Sequence, residues 1–386
     1  MLTYLDKISL MKYCCELAKK GLGFTAPNPI VGAVIANTNG EIISEGYHKQ
    51  YGGLHAEINA INNARINGID DFSDLILFVS LEPCNHYGKQ PPCTEEIIKA
   101  GFKNVYVGIE DPNPLVKGKG VTRLQEAGIN VNVEIEKKEC TKILADYIHY
   151  FTKKMPYITL KVAQSIDGFI AQKESELKYL TSENTRKKVH FMRSYCAVLV
   201  GINTILEDNP ILDFRLLSEK HREKLIKNGS SKIIILDSNL RTPPDSNIFS
   251  TKENRKIFIA YSENLNIDIS EIKNRKKLLE QQGAILIKSP IKNEKIDLHK
   301  LLSLLAKEHK IMHILVEGGG KVFSSFINSK LVNKLIIHTA PLIIVDGVKA
   351  FSNANKTILN DILSTFNKNY EMCDKDFVST FIEKQE

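Results

Sequence analysis

Apolar and polar positions along this chain follow two periods, and the period changes repeatedly from one stretch to the next. Over residues 3–20 the apolar positions recur every three to four residues, which predicts an amphipathic helix. Ile30–Ala36 and Glu41–Tyr47 read instead as paired strands around the turn Asn37-Thr38-Asn39-Gly40. Helical spacing returns at Leu54–Ile66, with Leu54, Ile58 and Ile61 on one face and a stop near Gly68. Leu75–Leu81 is a short apolar run and so a buried strand. Thr94–Ala100 reads as a helix stopped by Gly101. Strands at Asn104–Ile109 and Ile129–Ile135 flank a helix near Val121–Ala127, which completes a strand–helix sandwich.

The pattern breaks at Tyr150-Phe151-Thr152-Lys153-Lys154-Met155-Pro156, which suits a short linker over 147–156. A new strand starts at Tyr157–Ala163, and further strands fall at Ala197–Val200, Lys232–Leu236, Lys256–Ala260, Ala284–Ile287, His313–Val316 and Lys334–Ile337. Helices at about 183–194, 297–308 and 321–329 separate some of them, and the Lys-rich stretches 217–232 and 270–298 read as solvated loops. The expectation is an α/β protein of two domains, 1–147 and 148–386, the second a doubly wound sheet.

Composition adjusts this picture in three places. A length of 386 residues suits two domains, and 43% hydrophobic with 25% charged residues suits a globular chain. The N-terminal stretch lacks the basic, apolar and small-residue regions of a signal peptide, and no run approaches the roughly 18 apolar residues of a membrane span. The expected location is therefore cytoplasmic, with no membrane partner. Seven cysteines at irregular spacing form no disulfide framework, and Cys14, Cys15, Cys140, Cys196 and Cys373 read as small buried hydrophobes. The net charge of +7 divides unevenly. Residues 1–146 carry 15 Lys+Arg against 18 Asp+Glu, net −3, and the remainder 37 against 27, net +10. A slightly acidic first half disfavours a nucleic-acid substrate there.

The chemistry of the first half concentrates in His55-Ala56-Glu57 at a helix start, Pro83-Cys84 after a buried strand, and Pro91-Pro92-Cys93 opening the next helix. One His and two Cys give zinc three protein ligands and leave a fourth position for water, the catalytic pattern. Glu57 is not needed for coordination and is placed to accept and return protons. The other reading is a structural zinc knuckle, for which His86 is the only nearby fourth ligand. The order H-x-E … P-C-x₈-C, each part at a helix start, favours the catalytic one.

These residues resemble the cytidine deaminase-like superfamily, and within it the bifunctional deaminase–reductase family of riboflavin biosynthesis. The resemblance rests on Thr25-Ala26-Pro27-Asn28-Pro29-x-Val31-Gly32, Gly46-Tyr47-His48, the insert Cys84 to Cys93, Asp111-Pro112-Asn113-Pro114 and Lys117-Gly118-Lys119-Gly120. The second half is similar to the dihydrofolate reductase-like domain of the same family at Lys161 to Gly168, Val200 to Thr204, Glu207 to Pro210, Arg215, Asp237-Ser238 and Val316-Glu317-Gly318-Gly319-Gly320. Glycines between a strand and a helix start are what a dinucleotide pyrophosphate requires. Leu177 and Tyr179 stand where the family usually has Ser and Trp, and the match is poor after Pro341.

The resemblance implies two activities on small phosphorylated pyrimidines. A zinc-dependent deamination of 2,5-diamino-6-ribosylamino-4(3H)-pyrimidinone 5′-phosphate comes first, with one Zn²⁺ per chain. An NADPH-dependent reduction of the ribosyl side chain to ribityl follows. It implies Asn28 and His48 as pyrimidine contacts, and Leu177, Arg193, Leu212, Arg215 and Glu317 as contacts of the second substrate. Ala163, Tyr179, Thr204, Asp208, Ser238 and Gly319, Gly320, Lys321, Val322, Phe323, Ser324 and Ser325 would surround the cofactor, with Lys161 and Asp208 candidates to orient or protonate the opening ribose. It also implies a homo-oligomer built through the second domain. Two rival readings are a nucleobase or tRNA deaminase with an unrelated second domain, and a non-catalytic zinc-stabilised module. The Cys84–Cys93 spacing counts against the first and Glu57 against the second.

Overall fold

A computed structural model of the chain describes residues 2–88, 91–172, 179–229, 231–250, 255–262, 268–292 and 295–384. The chain divides into two compact units, Met1–Met155 and Pro156–Glu386.

In the first unit, α1 (Tyr4–Lys19) leads to β1 (Gly32–Ala36), β2 (Ile42–Tyr47), α2 (Ala56–Ile66), β3 (Ile76–Val79), α3 (Cys93–Ala100), β4 (Asn104–Val107), α4 (Lys119–Glu126), β5 (Asn130–Asn132), α5 (Lys137–Ile143) and α6 (Ala145–Lys153). A capping box fixes the start of α1. The Thr3 hydroxyl accepts the Asp6 N–H at 3.2 Å and the Asp6 carboxylate accepts the Thr3 N–H at 3.0 Å. The hairpin β1–β2 turns where the Asn37 side chain accepts the Asn39 N–H (2.9 Å), and Gly40 takes a φ of +89°.

The five strands run in the order β2-β1-β3-β4-β5, with β1 antiparallel to its neighbours and β3, β4 and β5 parallel. One face (Ala33, Ile35, Leu77, Val79, Val105 and Val107) packs on α2 and α3 through Ala60, Ile61, Ala64 and Ile97. The other carries α1, whose Cys14 thiol donates to the Phe78 carbonyl at 3.6 Å. Each fully buried large side chain contributes about 2–3 kcal/mol. Gly46 lets α2 lie directly on β2, since a Cβ there would fall 2.4 Å from the Ala56 carbonyl oxygen. That close approach places the start of α2 beside the end of β2.

The linker expected over 147–156 is largely helix, because α6 runs to Lys153 before the turn into Pro156. Tyr147 is buried on it, and that apolar anchor outweighs the Lys pair that suggested a linker.

In the second unit β6 (Tyr157–Ser165) and β7 (Phe169–Gln172) precede α7 (Glu183–Arg193), β8 (Ala197–Gly201), α8 (Ile202–Asp208), α9 (Glu219–Lys227), β9 (Ser231–Leu236), β10 (Arg255–Ser262), α10 (Ile269–Gln281) and β11 (Ala284–Ser289). Then come β12 (Ile291–Lys292), β13 (Lys295–Ile296), α11 (Leu298–His309), β14 (His313–Gly318), α12 (Gly320–Asn328), β15 (Lys334–Ala340), β16 (Gly347–Lys349), α13 (Lys356–Thr365), β17 (Asn367–Cys373) and β18 (Asp376–Ile382). Nine strands form one sheet in the order β11-β10-β9-β8-β14-β6-β15-β18-β17, parallel from β11 to β15 and closed by an antiparallel hairpin. From β6 the chain builds outward to β11, returns through β14, and crosses to β15 on the far side. The order therefore reverses around β8, β14 and β6, and ligands of open α/β sheets bind at the carboxyl ends of such strands.

The Lys-rich stretches 217–232 and 270–298 are not loops but hold α9, β9, α10, β11, β12 and β13. Their lysines line exposed helix faces while single apolar residues, Leu225 and Leu279, anchor the helices to the core. Among the described residues no helix is long and apolar enough to cross a membrane.

Candidate active sites

His55 is the N-cap of α2, in extended backbone conformation. The Asn59 side chain donates to the carbonyls of Tyr47 (2.9 Å) and Leu54 (3.2 Å), tying the approach of the chain to the helix. Cys93 is the first residue of α3, after the N-cap Pro92. The segment at Cys84 folds onto that helix start: the Cys84 carbonyl accepts the Thr94 N–H at 3.3 Å and its sulfur accepts the Cys93 N–H at 3.4 Å. A sulfur at a helix N-terminus is favoured as thiolate.

These folds bring His55, Cys84 and Cys93 together, with their donor atoms all within 4.8 Å of one another. His55 Nδ1 lies 3.2 Å from Cys93 Sγ and 3.5 Å from Cys84 Sγ. Donors on a tetrahedral zinc at ordinary bond lengths stand roughly 3.5 Å apart, so the spacing and the N/S chemistry fit that ion. Among the described residues His86 is not part of the cluster, which leaves three ligands and an open position. Between the cysteines the Cys84 thiol is held down to about 4, first by the hydrogen bond from Cys93 and then by His55, while Cys93 is pushed up. Glu57, the second residue of α2, is 3% exposed, and burial raises its carboxyl while the His55 charge works against the rise.

Asn28 and His48 meet at the edge of this cluster. His48 Nδ1 donates to the Leu54 carbonyl at 3.0 Å, which leaves Nε2 to accept the Asn28 side-chain N–H at 3.3 Å. Burial lowers the His48 pKa, so the ring stays neutral and edge-on to His55 at 5.1 Å between centroids.

One residue of this unit escaped sequence reasoning although it lies inside the motif. The buried Glu82 carboxylate accepts four backbone N–H groups, from Asp111 and Gly118 (both 3.0 Å), Gly120 (2.8 Å) and Val121 (3.1 Å). It thereby ties the loop of residues 111–121 to the strand end that presents Cys84. Asp111 is itself buried, and burial raises its carboxyl to about 6 against hydrogen bonds from the Asn113 N–H and the Tyr147 hydroxyl. A charged residue just before Pro83-Cys84 in an otherwise buried strand end was the available signal.

In the second unit three of the expected residues, Arg193, Lys161 and Glu317, converge near the carboxyl end of β14. Glu317 is next to last in β14 and receives Arg193, from the last turn of α7, on both oxygens (2.5 and 2.8 Å). Lys161 of β6 stands 3.7 Å from the same carboxylate. Burial alone would raise Glu317, but the charge and hydrogen bonds of Arg193, with Lys161 behind it, hold it at about 2. Arg193 also donates to the Asp213 carbonyl (3.0 Å), and Asp213 pairs with the exposed Arg215 (2.6 Å). Leu212 of that segment is buried, at φ +55°.

Around the glycine turn neighbouring side chains pack directly on the backbone. Gly319 takes φ +83°, and a Cβ on Gly318 would meet Thr204 Oγ1 at 2.8 Å. Lys321 is exposed and Val322 packs over Gly201, whereas Phe323 and Ser324 turn inward. The Ser324 and Ser325 hydroxyls donate to the carbonyls of Gly320 (2.8 Å) and Lys321 (2.9 Å), within the helix. Asp208 ends α8 with its carboxyl raised by burial. Ala163 lies on β6, and the Ser238 carbonyl accepts the Ser262 N–H (3.0 Å). Tyr179 is half-exposed beneath the Arg186 guanidinium at 4.3 Å. Leu177 lies outside the described residues.

A His/Cys/Cys donor set with a buried Glu two residues past the His, on a mixed five-stranded sheet, defines the first unit as a zinc-dependent deaminase domain. The family model for the cytidine and deoxycytidylate deaminase zinc-binding region matches residues 6–109, and that for the RibD C-terminal domain residues 156–366. The chain is 37% identical over 383 residues to the riboflavin biosynthesis protein RibD of Aquifex aeolicus, covering 99% of each. It is 38% identical to that of Actinobacillus pleuropneumoniae, over 87% of this chain and 84% of the relative. Among solved structures, a deaminase/reductase of Thermotoga maritima superposes with a TM-score of 0.81 at 34% identity, over 99% of both chains. Acinetobacter baumannii RibD does so with 0.81 at 30%, over 99% of this chain and all of the other. The chain belongs to the RibD family: it is a bifunctional deaminase–reductase of riboflavin biosynthesis, using zinc in the first domain and NADPH in the second.

Proposed function

We propose that the first unit deaminates 2,5-diamino-6-ribosylamino-4(3H)-pyrimidinone 5′-phosphate and that the second reduces the ribosyl group of the resulting 5-amino-6-(5-phosphoribosylamino)uracil. The convergence of His55, Cys84 and Cys93 within 4.8 Å, beside the buried Glu57, carries the reading. Those three residues would hold zinc, which when bound supplies Lewis acidity toward water. Glu57 would carry two protons in turn, the first from water to the ring nitrogen and the second from the added hydroxyl to the amino group, which leaves as ammonia as the carbonyl forms. Its raised pKa suits both halves of that exchange. Neutral His48, fixed as acceptor toward Asn28, orients the Asn28 amide at the pyrimidine.

In the second unit Thr204, Asp208, Gly319 and the first turn of α12 would line the cofactor, which supplies the hydride. Arg193, Arg215 and Glu317 would hold the substrate, with the arginines toward its phosphate and Leu212 against its ring. Lys161, beside Glu317, is placed to protonate the opening ribose oxygen. The net charge of +10 on this half suits two phosphorylated ligands. The partners are small molecules rather than nucleic acid, together with a second copy of the chain. Tyr370, Met372 and Phe377 on the edge hairpin are exposed and support that self-association.

Incubation of the full chain with the diaminopyrimidine tests the reading. Ammonia is released without NADPH, and NADPH is oxidised only once the uracil is present. Ammonia release with no NADPH oxidation sinks the reductase assignment, and silence in both assays sinks the whole.

A further inference from the structure

Two of the proposed substrate contacts, Leu212 and Arg215, sit on a segment between α8 and α9 that is neither helix nor strand. Side chains from elsewhere in the unit hold this segment in place. Arg255 donates to the Ile211 carbonyl at 2.6 Å and Arg193 to the Asp213 carbonyl at 3.0 Å. At the far end the Leu216 N–H donates to His190 Nδ1 at 3.4 Å. His190 precedes Arg193 by three positions on α7, so both project from one face of the helix. The ring is 5% exposed, and Arg193, Asp213, Arg215 and Glu317 are the charged groups around it. Burial, with Arg193 beside it, lowers its pKa to about 4, so at neutral pH Nδ1 keeps a lone pair for the Leu216 N–H. Arg215 is bound to Asp213 of its own segment, and its guanidinium therefore moves with the backbone that His190 grips.

We propose that His190 is a positioning residue of the reductase: by accepting the Leu216 N–H it fixes the backbone next to Arg215 and aims that guanidinium at the substrate phosphate. The inference rests on the reading of Arg215 as a substrate contact. A histidine that merely filled space would matter through its ring. One that acts as an acceptor matters through a single atom, and an asparagine places its Oδ1 where the histidine carries Nδ1.

The test uses the full chain, 5-amino-6-(5-phosphoribosylamino)uracil and NADPH, with the variants His190→Ala, His190→Asn, Arg215→Ala and the double variant His190→Ala/Arg215→Ala. Losing one hydrogen bond corresponds to about a three- to tenfold change. His190→Ala should raise KM for the uracil by about that factor with kcat within about twofold, and His190→Asn should restore it. The double variant should match Arg215→Ala alone, because both act through one guanidinium. Equal impairment of the Ala and Asn variants, or KM increases that multiply in the double variant, overturns the proposal. An unchanged KM in Arg215→Ala overturns the reading of Arg215 itself, which that single variant reports separately. If His190→Ala does not fold, His190→Asn is compared with His190→Gln, which displaces the acceptor by one methylene. Equal KM values for those two then overturn the proposal.

Discussion

The two units bury polar groups by opposite means. Around His55, Cys84 and Cys93 every contributor is an electron-pair donor, and the carboxyl beside them is that of the buried Glu57. Such a set is completed by a cation from solution, so its stability is linked to metal. Around Glu317 the compensation is internal, with a carboxylate clasped by one guanidinium and backed by one ammonium, all largely buried. Its charge is met by neighbouring side chains rather than by an ion from solution. The same sheet-and-helix architecture thus supports one site that depends on an imported ion and one that does not.

Chelation should separate the two most strongly. Removing zinc should take ammonia release to background and lower the unfolding midpoint, while NADPH oxidation with supplied uracil stays within about twofold; added zinc should restore the loss. Parallel loss of both activities on chelation would break the contrast. Glu317→Gln is the mirror experiment. It leaves Arg193 and Lys161 buried without their partner and should cost about 3–5 kcal/mol of stability together with the reductase. Ammonia release should survive, and differential scanning calorimetry with the two assays checks it.

Acid should act on the two units in opposite directions. Glu317 is held at about 2, below its ordinary value near 4.5, so its contribution is present above pH 4.5 and lost as pH falls toward 2. Asp111 is raised to about 6 from 3.8, so folding favours its protonated form, and its contribution is lost as pH rises from about 4 to 6. The second effect is at most about 3 kcal/mol. Asp111→Asn should therefore gain stability over wild type as pH rises through that window, read as a difference in unfolding midpoints. A constant difference would contradict the burial argument. The smallest expected effect is that of Asn28→Ala, which removes one hydrogen bond to His48. It should raise the deaminase KM by about two- to tenfold with little change in the reductase.

Legibility in the sequence differed between the units for a physical reason. The deaminase site is built from ligands at helix starts, and helix starts are marked locally, by Pro92 before Cys93 and by the change of period at His55. Its spacing could therefore be read along the chain. Glu82 was missed because its role is to gather backbone N–H groups of a loop some thirty residues on, which leaves no periodic mark. In the reductase, Arg193 and Glu317 are 124 positions apart. Resemblance brought both residues forward, but only the fold shows that they clasp each other. The Lys-rich helices α9 and α10 look like loops in the sequence because each is anchored by a single buried leucine, too little apolar signal for a period. Beyond Pro341 the elements β16, α13, β17 and β18 gave no reading, since β17 is exposed at six of its seven positions and lacks the alternation that marks a half-buried strand.

On the proposed function one chain carries two independent sites, with proton transfer at the first resting on Glu57. The most direct measurement is Glu57→Gln in the full chain, assayed on each substrate separately and analysed for bound zinc. The expected result is about one zinc per chain, a fall in ammonia release of about a hundredfold or more, and NADPH oxidation at the wild-type rate when the uracil is supplied. Retained deamination would contradict the role of Glu57, lost zinc would contradict the ligand set, and simultaneous loss of the reductase would contradict the independence of the sites.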